Sequence, residues 1–153
     1  MGWFSRPALA ELMRRQTSRL NNIFGEDEYS IHALEGGGCL LCSRVFDAVF
    51  DYGYREQRVF LRIKPLLVPA AVSEFSPIDT WMDFLGKEAP SPTKSSICDE
   101  QVIEALDLMS LVKVNIFDDE TKARDAAYFA DGHNRAYNDW ASGRGSWREF
   151  SDK

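Results

Sequence analysis

Long hydrophobic runs are missing from this chain of 153 residues. Its most apolar stretch, "VFLRIKPLLVPAAV" from Val59, is broken by Arg62, Lys64 and two prolines, well short of the roughly 18 apolar residues that cross a bilayer. No membrane span is expected. Cysteine is scarce: there are 3, an odd number, and only "CLLC" at Cys39 and Cys42 has CxxC spacing. This excludes a disulfide framework, and a structural zinc site would need a second such pair. Arg6, Arg14 and Arg15 are not followed by the apolar run of a secretory signal, which together with the cysteine usage points to a reducing cytoplasm.

Motifs for nucleotides and for nucleophilic catalysis are also lacking. A phosphate-binding loop needs spaced glycines leading to Lys and Ser or Thr, so that backbone N–H groups and an ammonium meet phosphate oxygens. Here "GGGCLLC" runs from Gly36 to Gly38 into cysteine and leucine. Three consecutive glycines do not give the dinucleotide spacing either. No serine-elbow or histidine-rich metal motif is present, and no internal repeat is found. Neither a metal nor a cofactor is expected.

What the chain does have is acid. Its formal net charge is −6. Arg6, Arg14, Arg15 and Arg19 against Glu11 give the first 25 residues +3, leaving −9 for residues 26–153. Such a body repels phosphate backbones, which argues against a nucleic-acid ligand and for a basic protein partner.

Periodicity supplies the elements. "SRPALAELMRRQTSRLNNIFG" places Ser5 as a helix cap, Pro7 in a first turn and Gly25 at a stop, so a helix is expected over 6–22 within a basic amphipathic segment, 1–25. Leu9, Leu12, Met13 and Leu20 share one face of it, a face to be packed on the domain. Tyr29–Leu34 is expected to be a short strand, with the glycines as the turn after it. From Cys39 to Asp51 the apolar residues Leu41, Cys42, Val45, Phe46, Val49 and Phe50 have helical spacing, with a strand as the alternative; on the helix Cys42 would be buried. "RVFLRIK" alternates and is the clearest strand. A helix is expected over 77–85, a loop over 87–96, a helix from Cys98 with Val102, Ile103, Leu106 and Met109 on one face, a strand at "LVKVNIF", and a long helix from about Asp118. An alanine face, Ala123 to Ala130, marks that last helix, and Gly132 is a place for a kink. Residues 143–153 read as an irregular tail. The sum is one α+β domain over 1–153, a small sheet of about three strands packed with four or five helices.

Two functions compete on these residues. The first is a non-enzymatic acidic protein-binding module, an inhibitor or immunity-type protein that occludes a basic partner such as a nuclease-like toxin. Charge would steer the encounter and aromatic anchors would carry affinity. The candidate contacts are Asp27, Glu28 and Tyr29, then Asp79, Trp81, Asp83 and Phe84, then Asp118 and Asp119. The alternative is a small hydrolase-like enzyme with His133 as acid or base beside Asp131 and Asp139. On a helix, however, Asp131 and His133 diverge, and Arg135 faces Asp131 and Asp139 at four-residue spacing. The CxxC pair could serve thiol redox chemistry if a helix began at Cys39, but its leucines favour burial.

Overall fold

The computed structural model describes residues 7–53, 58–66, 74–88 and 98–141, the side chains of 137–141 excepted. The expected loop from residue 89 onward and the tail at 143–153 lie outside them, as does the Ser5 cap. The described residues form a single α+β body of five helices and one antiparallel sheet. The sheet has five strands, in order β1 (Tyr29–Ala33), β2 (Cys39–Ser43), β3 (Phe46–Gly53), β4 (Arg58–Pro65) and β5 (Ser76–Pro77). The expectation of about three strands is thus too low, and the cause is local.

Cys39–Asp51 is not a helix but a hairpin, β2 and β3, with Cys39 opposite Phe50 and Cys42 opposite Asp47. Its turn carries neither Gly nor Asn, the usual sign of a tight hairpin. Instead the Ser43 hydroxyl donates to the Phe46 carbonyl at 2.7 Å and accepts the Phe46 N–H at 3.2 Å. Strand periodicity was hidden because Leu41, Phe46, Ala48 and Phe50 alternate only once the turn is taken out. The glycine turn is as expected: Gly36 and Gly37 adopt φ of 81° and 91°, which L side chains rarely take.

"LVKVNIF" is likewise not a strand. It ends helix α4 (Cys98–Val112) and continues as a π-helical turn, Lys113–Phe117. Val112, Ile116 and Phe117 are buried while Val114 is exposed, so the helical period begun at Val102 overrides the β-preference of Val and Ile. The expected N-terminal helix divides into α1 (Leu9–Arg14) and α2 (Thr17–Phe24), where the Thr17 hydroxyl donates to the Arg14 carbonyl at 2.6 Å. Leu9, Leu12, Met13 and Leu20 are all wholly buried. Helix α3 covers Ile78–Phe84, and α5 runs unbroken through Gly132 from Glu120 to Ala141.

The helices stack on one face of the sheet. Cys39, Leu41, Phe46, Ala48, Phe50, Leu61 and Ile63 point into the core from the strands, meeting Leu12 and Met13 of α1, Trp81 of α3 and Leu106 and Met109 of α4. A file of aromatic edges, Phe24–Phe46–Phe117–Trp81, joins both layers with centroids 5.1 to 5.7 Å apart. Ion pairs tie the basic N-terminus to acidic α4: Arg15 to Asp99 at 3.4 Å and Arg19 to Asp107 at 2.9 Å. Two of the four arginines in the first 25 residues thus meet acids of α4. No helix among the described residues is long and apolar enough to cross a membrane.

Candidate functional site

Alternation in the strands leaves the second sheet face to polar residues. Cross-strand register puts Ser30, Cys42, Asp47 and Lys64 in one row and His32, Leu40, Val49, Arg62 and Pro77 in the next. Three residues apart on one strand, Cys39 and Cys42 point to opposite faces. They therefore cannot act as a pair, and the CxxC redox reading fails on geometry. Cys39 is the buried one, contrary to the expectation for Cys42; burial holds its thiol at about 11, against smaller opposing effects of Arg14 and a backbone hydrogen bond at His32. Cys42 is half-buried on the outer face, its thiol raised by burial and then by Asp47, with an opposing hydrogen bond to Ser30. Ser30 Oγ lies 2.9 Å from His32 Nε2. No group of three or more His, Cys, Asp or Glu that could hold a metal occurs among the described residues.

At the far end of this face, β3 and β4 build a groove. Gly53 lacks a side chain where the Phe60 ring lies across the strand, and a Cβ there would collide with the ring. The Arg58 guanidinium covers that ring, its Cζ 4.6 Å from the centroid. Arg62 Nη2 meets Asp51 Oδ2 at 3.2 Å. With Leu61, and with Pro77, Ile78 and Asp79 where β5 passes into α3, these residues enclose a cavity of about 430 Å³.

The candidate partner contacts fall into separate places. Asp27, Glu28 and Tyr29 form the turn into β1. Glu28 pairs with Arg44 at 2.7 Å, Asp27 takes a φ of 62°, and the Tyr29 hydroxyl donates to Asn21 Oδ1 at 2.8 Å. Burial raises the Tyr29 phenol, and Asp27 and Glu26 add to it. Asp118 pairs with Lys113 at 2.7 Å, and Asp119 caps α5, its carboxylate accepting the Lys122 N–H at 3.1 Å. Lys113 Nζ also lies 6.0 Å from the Phe24 ring, and Phe24 packs on Tyr29 at 5.9 Å, so both acidic turns share one end of the molecule.

Trp81 does not belong to a surface. It is wholly buried, its Nε1–H donates to the Ser76 carbonyl at 3.1 Å, and the Asn134 amide donates to Ser76 Oγ at 2.9 Å. On the same helix Asp79 and Asp83 are exposed, and neither forms an ion pair among the described residues. Phe84 is half-buried and packs at 5.6 Å against Phe129 of α5. Phe129 and Tyr128 are themselves exposed, by 38% and 51%, with Asp125 one turn before them. Around His133, Asp131 turns to Arg135 at 3.0 Å and Asn134 to Ser76; the side chain of Asp139 lies outside the described residues.

Sequence reasoning missed Arg58, Phe60, Asp125, Tyr128 and Phe129. A signal for the first two was present, since "RVFLRIK" alternates apolar residues with Arg58, Phe60, Arg62 and Lys64, an unusual set for an exposed face. Comparisons with known protein families, curated proteins and solved structures find nothing similar to this chain.

Proposed function

We propose that this chain is a non-enzymatic acidic protein-binding module, an inhibitor or immunity-type protein that occludes a basic partner such as a nuclease-like toxin. The observation that carries the reading is the aromatic step of Tyr128 and Phe129 on α5, backed by Phe84 and flanked by the unpaired carboxylates Asp83 and Asp125. Exposed aromatics give a partner large contact area at small entropic loss, while carboxylates at the rim steer a cationic surface toward them. Phe129 and Tyr128 replace Trp81 as the anchors. The −9 charge outside the first 25 residues supplies the long-range field.

Affinity capture from lysate of the source cells tests this reading, with the wild-type chain and the Tyr128→Ala/Phe129→Ala double variant as parallel baits. The expected result is a basic protein retained by the wild type and lost from the variant. Its association should slow as salt rises, because steering is screened beyond about 8 Å at physiological ionic strength. Capture of an acidic protein, equal retention on both baits, or a turnover activity abolished by His133→Ala in a folded chain would refute the proposal.

A further inference from the structure

We propose that the groove over Phe60 binds a small zwitterion with an apolar side chain, the chemistry of a free aromatic or branched α-amino acid. The inference goes beyond the protein-binding reading and does not depend on it. Six of the eight described arginines, namely Arg15, Arg19, Arg44, Arg62, Arg124 and Arg135, meet a carboxylate of the fold. Arg58 does not. Its Nε is enclosed and has no hydrogen-bond partner, alone in this among the buried side-chain nitrogen and oxygen atoms of the described residues. Among the described residues the Arg58 guanidinium is therefore left without a carboxylate while stacked on an aromatic ring and lining a cavity of about 430 Å³, a size in the range that holds small ligands.

Charge in the groove is balanced but not closed. Asp51 is already taken by Arg62, which leaves Arg58 and Asp79 as opposite charges on one cavity with no ion pair between them. A carboxylate suits the planar donors of Arg58, and an ammonium suits Asp79. The surfaces between them, Phe60, Pro77 and Ile78, take an apolar side chain. A simple anion would leave Asp79 facing it, and a simple cation would meet Arg58. Only a ligand carrying both charges answers every group.

Calorimetric titration of the full chain provides the test, using L-phenylalanine, 3-phenylpropionate, which lacks the ammonium, and 2-phenylethylamine, which lacks the carboxylate. Amide chemical shifts over 51, 58–62 and 77–79 report the site. L-phenylalanine should saturate the wild type at millimolar concentration or below, with each truncated compound at least about ten-fold weaker. Arg58→Gln should bring L-phenylalanine down to the level of phenylethylamine, and Asp79→Asn to that of phenylpropionate. Should Arg58→Gln fail to fold, the analogue series on the wild type and on Asp79→Asn decides alone. No saturation up to about 10 mM, equal affinity for all three compounds, or shifts confined to other residues would overturn the proposal.

Discussion

The two faces of the sheet are written by alternate residues of the same strands, yet they have opposite characters. Inward, β3 and β4 present Phe46, Ala48, Phe50, Leu61 and Ile63, all buried. Outward, the intervening positions are Asp47, Val49, Asp51, Phe60, Arg62 and Lys64, beside Arg58 whose Nε has no hydrogen-bond partner among the described residues. Period-two alternation thus separates two tasks within eight residues: one face fixes the body, and the other is free to carry charge. Stability should accordingly be concentrated on the inner face.

The largest effect that would test this contrast is at Trp81. Its ring lies edge-to-face on Phe117 at 5.2 Å and is wholly buried, so Trp81→Ala should lower unfolding free energy by about 3 to 5 kcal/mol. Chemical denaturation measures it, with Phe60→Ala as the outer-face counterpart expected to lose clearly less. Equal losses would break the comparison. Next come Leu12→Ala and Leu20→Ala, each expected to cost about 2 to 5 kcal/mol, since both leucines are 0% exposed beneath the sheet. Unchanged denaturation midpoints would mean that α1 and α2 contribute nothing to the body.

How far these faces were readable follows from which forces act locally. The helix at 78–84 was legible because Pro77, Asp79 and Gly86 punctuate it, and β4 because its alternation is unbroken. The β2–β3 hairpin was not, because its turn relies on one serine hydroxyl and its apolar residues also satisfy a helical period. The π turn at 113–117 was lost for the reverse reason: β-branched residues mask a helix held by packing on Phe46 and Trp81. Of the candidate contacts, the acids were visible from charge alone. Whether Trp81 or Phe129 faces water depends on how α3 meets α5, a tertiary relation that no local spacing encodes.

The strand "CLLCS" tests the comparison within four residues. At pH 8, Cys42 on the outer face should react with a thiol reagent well before Cys39, which should be labelled only as fast as the protein opens. Burial holds the Cys39 thiol at about 11 against an ordinary 9.0, so the folded chain keeps a proton that the unfolded chain releases between those values. That contribution is full below about pH 9 and is lost as pH rises toward 11, by up to about 2 to 3 kcal/mol at roughly 1.4 per unit. Cys39→Ala should flatten this alkaline decline whatever it does to the baseline. Faster labelling of Cys39, or an unchanged decline in the variant, would contradict the assignment of faces.

The smallest effect belongs to the outer face itself. Asp51 and Arg62 pair at 3.2 Å with side chains 43% and 51% exposed, and an ion pair so wetted contributes at most about 1 kcal/mol because water and salt screen it. Asp51→Asn should therefore leave the unfolding free energy nearly unchanged, and the small difference should vanish at high salt. What it should change is the groove, where Arg62 loses its carboxylate and joins Arg58 as a free cation beside Asp79. The balance that favours a zwitterion then tips toward an anion, and 3-phenylpropionate should gain affinity relative to L-phenylalanine. A loss of several kcal/mol in this variant would instead mean that the outer face, like the inner one, holds the fold together.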